Sequence, residues 1–329
     1  MIDLTVVIPI RNEAPSLDEL HGELTEALGK WGRTYEIIIV DDGSTDGSFP
    51  ILAGLQGSDP HLRIIRFRRN FGQTAAFSAG FAHAHGRMIV TSDGDLQNDP
   101  HDIPALVQKL EDEQLDIVCG WRRHRKDAFF SRLLPSRLAN GLISWATGVK
   151  LHDYGCSLKV FRADVVKSIK LYGEMHRFIP AIASEQGVAM AEAVVNHRPR
   201  KHGTSKYGIS RTVRVVLDLV TVKFLLNYST RPLQIFGLFG LIMAVPGAVI
   251  TGYLALLKVV GGQAIGPRLP LLLIGSLLVM TGVQLITVGL LAELQARTYH
   301  ESQDKPTYVI REIRESPALA APAREYHRA

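Results

Sequence analysis

The chain has 329 residues, 46% of them hydrophobic and 21% charged, which excludes a disordered chain and leaves room for one large or two modest domains. The net charge of +5 points to anionic partners, but the basic residues cluster in 63–69, 122–126 and 198–214 with no zinc-finger or helix-turn-helix pattern, so nucleic acid is not an expected partner. The two cysteines, Cys119 and Cys156, form neither a metal motif nor a disulfide framework and read as small buried apolar residues.

The chain opens at Met1 on a charged and then strand-like segment, so no signal peptide is expected. Residues 4–10 (LTVVIPI) predict a buried strand, and 16–28 a helix with Leu17, Leu20, Leu24 and Leu28 on one face behind Ser16 as N-cap. Strands follow at 36–40, 62–67, 87–92 and 116–120, separated by helices at 49–55, 73–84 and 103–113. This alternation predicts a mostly parallel sheet covered by helices, with ligands at the carboxyl edge of the strands. The acidic turns Asp41-Asp42 and Asp93-Gly94-Asp95 both fall at that edge.

Residues 208–228 carry Ile209, Val213, Val216, Leu217, Val220, Phe224 and Leu225 on one face. Such a helix lies in a membrane interface or packs on the soluble domain. Stretches 233–257 and 269–292 hold no charged side chain, and each exceeds the ~20 residues that cross a bilayer. Cations flank the pair at Lys223, Arg231, Arg297, Lys305, Arg311 and Arg314, so both ends are expected in the cytoplasm, anchored to the inner membrane. The expected organisation is a cytoplasmic domain at 1–207, an interfacial helix at 208–231, a transmembrane hairpin at 232–293 and a cytoplasmic tail at 294–329. Within the tail, 299–313 adds a strand or meets a neighbouring subunit, and 318–329 is expected to be disordered.

No G-x-G-x-x-G follows the first strand and no P-loop is present, so dinucleotide chemistry and P-loop hydrolysis lose their main supports. Asp93, Asp95 and Gln97 instead alternate after a strand and could present hard oxygen ligands to Mg²⁺ or Mn²⁺, with substrate phosphates completing the shell. A solvated turn is the competing reading of that loop, and Asx-turn formation that of Asp41 and Asp42.

The segments VVIPIRNE (6–13), VDDGSTDGS (40–48), RNFGQTAAFSAGF (69–81) and DGDLQNDP (93–100) resemble inverting family 2 glycosyltransferases of the GT-A fold. DYGCSLKVFR (153–162), HGTSKY (202–207) and the terminal hairpin narrow the resemblance to the polyprenyl-phosphate glycosyltransferases, and within them to two-span bacterial members acting on undecaprenyl phosphate. The resemblance implies an α/β, Rossmann-like GT-A domain and a homotetramer. It implies a nucleoside pocket at Pro9, Glu13, Asp41, Asp42 and Asp93, and a metal held by Asp93, Asp95 and Gln97. Arg11 stands where the family often has Tyr, so base stacking is not carried over to that position.

A lipid monophosphate has a second pKa near ~6 and is a nucleophile at neutral pH without a strong base. It needs cations beside an anionic donor, and Arg122, Arg137, Arg200 and Lys206, with the Ser205 hydroxyl, are the candidates. The resemblance places Asp153 near the reacting centre and makes Asp153 and Asp95 the expected catalytic residues; Asp153 takes a residual phosphate proton, orients a phosphate-binding arginine or only shapes a structural turn. Tyr154 and Cys156 read as packing residues. The expected reaction moves a sugar from a nucleoside-diphosphate sugar, UDP by resemblance, to polyprenyl phosphate, with inversion and a divalent metal. A transferase using a lipid hydroxyl such as diacylglycerol, and a nucleotide-binding membrane scaffold without turnover, are the alternatives.

Overall fold

The strand β1 (Leu4–Ile10) is buried along its whole length and forms the centre of the sheet. A computed structural model describes residues 2–123, 140–171 except 142, 145 and 146, 175–199, 201, 232–302 except 261, 263 and 265, and 307–316. Two units divide the chain: one comprises Met1–Val222 with Pro306–Ala329, the other Lys223–Lys305. In the first, β1, β2 (Tyr35–Asp41), β3 (Leu62–Phe67), β4 (Met88–Thr91), β5 (Ile117–Trp121), β6 (Lys159–Arg162), β7 (Met190–Val194) and β8 (Ile310–Arg314) form one sheet in the order β7-β5-β6-β4-β1-β2-β3-β8.

The strands expected from the sequence are present within a residue or two, and pairing among β1 to β4 is parallel. The antiparallel exceptions are β6, wedged between β4 and β5, and β8 at the edge beside β3. Neither β6 nor β7 was legible beforehand: β6 has four residues, and β7 (MAEAV) is half-exposed and too weakly patterned to stand out.

The pleat sorts the core. Leu4, Val6, Ile8 and Ile10 join Ile37, Ile39, Leu62, Ile64 and Val90 beneath α1 (Leu17–Trp31), α2 (Ser48–Ser58) and α4 (Ile103–Asp112). Leu17, Leu20, Leu24 and Leu28 are the apolar face of α1, each contributing about 2 kcal/mol by burial. Ser16 precedes that helix but makes no side-chain cap; its hydroxyl donates to the carbonyls of Glu13 and Gly94 at 2.9 and 3.1 Å. That departure from the expected cap ties the helix start to the turn after β4.

Pro9 is tolerated in a central strand for a local reason. Val7 O accepts from Ser92 N, so Val7 and Pro9 point their backbone groups toward β4, whose ladder ends at Val7–Thr91. Beyond that point the chain has turned into the 92–95 loop, and a missing N–H forfeits no ladder bond.

On the other face α3 (Gln73–His83) lies on β1, and a Cβ at Gly80 would collide with Val7 Cγ1. The following segment adds α5 (Ala163–Ser168) and α6 (Ile179–Ser184).

Of the two roles expected for the tail, it takes the strand. Ile64, Ile65 and Arg66 pair with Arg314, Ile313 and Glu312; Tyr308 stacks on Phe67 at 5.2 Å between centroids. Arg63, almost fully buried, ion-pairs with Glu36 at 2.9 Å and donates to Glu315 at 2.8 Å, which fixes the chain just beyond β8.

The second unit is a helix pair, α7 (Pro232–Val259) and α8 (Leu269–Ser302). α7 runs through Pro246, and α8 continues ten residues past the apolar stretch. A Cβ at Gly240 would come within 2.7 Å of Gly282 O, and one at Gly247 within 2.7 Å of Gly275 O, so the helices touch through glycines seven residues apart on each. Segments Phe236–Val259 and Gly266–Leu291 are long and apolar enough to cross a membrane, with mean hydropathy 2.0 and 2.2, and most of each is unburied. Core helices of a soluble protein would bury that surface; membrane anchoring leaves it outward. The expected interfacial helix at 208–231 lies outside the described residues, as does 318–329.

Because α3 rests on β1 through Gly80, Gly80→Ala should cost about 1–2 kcal/mol in chemical denaturation despite its gain in helix propensity. Adding Val7→Ala should recover part of it, and strictly additive losses would contradict the contact.

Candidate active site

Every strand from β1 to β5 delivers a polar turn to the same sheet edge. After β1 the 11–14 turn, with Asn12 at φ 57°, interlocks with the 43–48 turn after β2. Asn12 N and Glu13 N donate to Ser44 Oγ and Ser48 Oγ at 3.0 and 3.1 Å, and Asn12 Oδ1 accepts from Thr45 N at 2.8 Å. Asp46 completes the clamp, accepting from Ala14 N and from Ser48. Asn12, Ser44, Asp46 and Ser48 were not singled out from the sequence, because turn residues of this composition carry no periodic signal.

Asp41 and Asp42 divide their work. Asp42 accepts from Phe71 N at 2.7 Å and Gly72 N at 3.0 Å, so it fixes the 69–72 loop after β3. Burial raises its carboxyl pKa above the ordinary value, against the pull of those two N–H groups. Gly43, at φ +69°, lies against that loop: a Cβ there would be 2.6 Å from the Arg69 carbonyl carbon. Asp41 is fully buried; Oδ1 accepts from Ser44 N at 2.8 Å, while Oδ2 has no hydrogen-bond partner among the described residues. Buried carboxylate oxygens are normally satisfied, so Oδ2 has capacity for one more donor.

The turn after β4 carries Asp93, Gly94 and Asp95, packed so tightly on β1 that a Cβ at Gly94 would approach Ile10 to 2.8 Å. Asp93 accepts from Gln73 Nε2 at 2.8 Å and Asp95 from Gln97 N at 3.2 Å, while Leu96 takes φ 62°. Burial and the neighbouring Asp95 charge push the Asp93 carboxyl up. Two carboxylates that oppose each other's charge are a donor set that a divalent cation relieves. No group of three or more His, Cys, Asp or Glu forms a metal cluster among the described residues. The donor chemistry of Asp93 and Asp95, two carboxylates on one turn, is of the kind that suits Mg²⁺ or Mn²⁺, which take one or two protein carboxylates with water and phosphate. Gln97 is tied to the 196–201 segment: Nε2 donates to Arg198 O at 3.4 Å and its own carbonyl accepts from Arg198 N.

Beyond β5, Arg122 and Asp153 form a two-pronged pair, Nε to Oδ2 at 2.7 Å and Nη2 to Oδ1 at 2.9 Å. Burial opposes the arginine's charge, but Asp153 overcomes it and raises its pKa. Arg122 is close enough to Asp93 to favour that group's charged form. Asp153 is itself positioned by Glu192 of β7, which accepts from His152 N at 2.9 Å and Asp153 N at 3.3 Å. The buried Lys159 of β6 donates to the carbonyls of Tyr154 and Cys156 in the same turn. Glu192 and Lys159 went unremarked in the sequence, since both sit on the two strands it did not reveal. Tyr154 and Cys156 are buried, and burial pushes the Cys119 thiol up to about 12.

The structure thus brings Pro9, Glu13, Asp41, Asp42, Asp93, Asp95, Gln97, Arg122 and Asp153 to one sheet edge. Arg137, Arg200, Ser205 and Lys206 lie outside the described residues. Beside the last three, Arg198 binds Glu23 and Asp99, each at 2.7 Å, and Lys201 binds Glu19.

Residues 5–170 match glycosyl transferase family 2. A dodecaprenyl-phosphate galacturonate synthase of Rhizobium johnstonii is 48% identical over 317 residues, covering 95% of this chain and 93% of that protein. An undecaprenyl-phosphate 4-deoxy-4-formamido-L-arabinose transferase of Edwardsiella ictaluri is 36% identical, covering 94% of each. Among solved structures, glucosyl-3-phosphoglycerate synthase of Mycobacterium tuberculosis in complex with Mn²⁺ and UDP-glucose superposes with TM-score 0.53 at 17% identity, over 68% of this chain and 79% of that one. At that identity the likeness bears on the fold, which is the α/β GT-A type.

The Arg198–Asp99 contact has a measurable signature. Burial works against the Asp99 charge, but donors from Asn196, Arg198 and His101 prevail and hold its carboxyl at about 2, below the ordinary 3.8. The stability it contributes is complete above about pH 4 and is lost as pH falls toward 2, where the folded form finally takes its proton. At about 1.4 kcal/mol per unit, Asp99→Asn should flatten the acid limb of a denaturation profile by about 2 kcal/mol. An unchanged limb would show that this contact does not hold in solution.

Proposed function

Because the chain belongs to glycosyl transferase family 2, we propose that it transfers a sugar from a nucleoside-diphosphate donor to polyprenyl phosphate. The donor is a UDP-sugar, and the anomeric centre is inverted. The observation that carries this reading is the Asp93-Gly94-Asp95 turn within electrostatic reach of an arginine that Asp153 holds by two hydrogen bonds. One end of that arrangement suits a diphosphate with its cation, the other a second phosphate.

The residues divide the task. Asp41 Oδ2 accepts the imide N–H of the base, and Glu13 with the clamped 43–48 turn closes the nucleoside pocket. Pro9 ends the strand beneath it. Asp93, Asp95 and Gln97 would hold Mg²⁺ or Mn²⁺, which when bound would supply positive charge to the leaving diphosphate. Arg122 receives the acceptor phosphate, joined by Arg137, Arg200, Ser205 and Lys206. A phosphate oxygen attacks the anomeric carbon opposite the diphosphate; the new C–O bond forms as the bond to the β-phosphate breaks, and that electron pair leaves on UDP.

Asp153 acts by orienting Arg122. Its two oxygens each accept from the guanidinium, and the dianionic acceptor requires no base. Homologous proteins named for dodecaprenyl- and undecaprenyl-phosphate acceptors support the lipid assignment. The catalytic domain, 1–207, faces the cytoplasm, the 208–231 segment lies in the membrane interface, and 232–293 crosses the bilayer twice before the 294–329 tail. Subunits associate as a homotetramer.

Purified full-length protein, undecaprenyl phosphate and radiolabelled UDP- and GDP-sugars, with and without EDTA, test the proposal. Chloroform-extractable label should appear with a UDP-sugar, vanish with EDTA and return with Mg²⁺ or Mn²⁺. Label entering diacylglycerol instead, or UDP binding with no transfer to any acceptor, would overturn it. Asp95→Ala should lower kcat/KM by about 10²–10³. Asp153→Asn should act mainly through the acceptor KM, by about tenfold and without altering the pH profile. A thousandfold fall in kcat with a displaced pH profile would make Asp153 the base.

A further inference from the structure

Asp41, Arg66 and Glu312 stand side by side across three strands. Asp41 is in register with Arg66 on β3, and Arg66 with Glu312 on β8. In-register neighbours project to the same face, so the three side chains form a lateral row of alternating charge.

The spacing within that row is unequal. Arg66 Nη1 donates to Glu312 Oε1 at 3.1 Å, a hydrogen bond. Arg66 Nε lies 3.7 Å from Asp41 Oδ2, an ionic contact too long to be one. The guanidinium is also held over the Phe49 ring, 3.9 Å from its centroid. Asp41 therefore has a counter-charge nearby, yet its buried Oδ2 keeps its lone pairs. A guanidinium fork and a carboxylate ordinarily close into a two-pronged pair, as Arg122 and Asp153 do. Arg66 is kept from doing so by the acid on its far side. Glu312 suits that role: although burial opposes its ionisation, hydrogen bonds from Arg66 and Arg314 hold its carboxyl below the ordinary range.

We propose that Glu312, on the strand that follows the helix pair, is a positioning residue for donor recognition: it holds Arg66 off Asp41 and so keeps Asp41 Oδ2 open to the base's imide N–H. This rests on the reading of Asp41 as the base acceptor. With Glu312 neutral, Arg66 closes on Asp41 and competes with the nucleotide for the same oxygen.

The test is titration calorimetry on the full-length protein in detergent with Mg²⁺, using UDP and 3-methyluridine 5′-diphosphate, which lacks the imide proton. The unaltered protein should bind UDP about tenfold or more tightly over the methylated analogue. Glu312→Gln should weaken UDP about tenfold while leaving the analogue nearly unchanged, so discrimination collapses. Glu312→Asp, which keeps the charge, should retain most of it. Glu315→Gln, which loosens the tail at Arg63 without touching Arg66, should discriminate as the unaltered protein does. Adding Arg66→Gln to Glu312→Gln removes the competitor and should restore part of the UDP affinity.

If the unaltered protein does not distinguish the two nucleotides, the reading of Asp41 fails. If it does, and Glu312→Gln distinguishes them equally well, Asp41 keeps its role and the assignment of Glu312 is overturned. Parallel loss for Glu312→Gln and Glu315→Gln would reduce β8 to a structural edge and also overturn it.

Discussion

Five carboxylates, Asp41, Asp42, Asp93, Asp95 and Asp153, converge on one edge of a single sheet, and the chain has to hold them there against their mutual repulsion. Four of them are held by different devices. Asp42 is bound by two backbone N–H groups of the 69–72 loop, and Asp153 by the fork of Arg122. Asp41 has the Arg66 charge beside it, and Asp93 has a neutral amide donor in Gln73 with Arg122 and Lys159 within electrostatic reach. Between Asp93 and Asp95 the conflict persists, since the Asp95 charge adds to burial in pushing the Asp93 carboxyl up.

The positioning is layered. Arg122 is directed by Asp153, Asp153 by Glu192 on β7 and by the turn that Lys159 ties from β6. These two strands are absent from the simplest parallel sheet, and both serve the Arg122–Asp153 pair, with β6 running antiparallel beside β4, the strand that leads into the Asp93–Asp95 loop.

Much of this was legible in the sequence because its physics is local. β1 and β2 carry apolar, β-branched runs, α1 has its leucines at helical spacing, and the acidic turns follow strands directly. What stayed hidden depends on partners distant in the chain. Ser16 looked like a cap, but its hydroxyl is drawn to Gly94, 78 positions away. Glu192 and Lys159 act only once β6 and β7 are inserted, and four residues of β6 give too short an alternation to detect. Whether the tail formed a strand or met another subunit was open because an edge strand that is half-exposed has little apolar signal of its own.

The position of β8 in the chain has a consequence for biogenesis. Its five residues are translated after both apolar helices, yet they complete a sheet begun three hundred residues earlier. Until they emerge from the ribosome, the outer edge of β3 is an unpaired ladder and Arg63 lacks Glu315. The sheet is thus closed only after the helix pair has been made, a built-in order that leaves β3 without its last neighbour until both apolar helices have been translated.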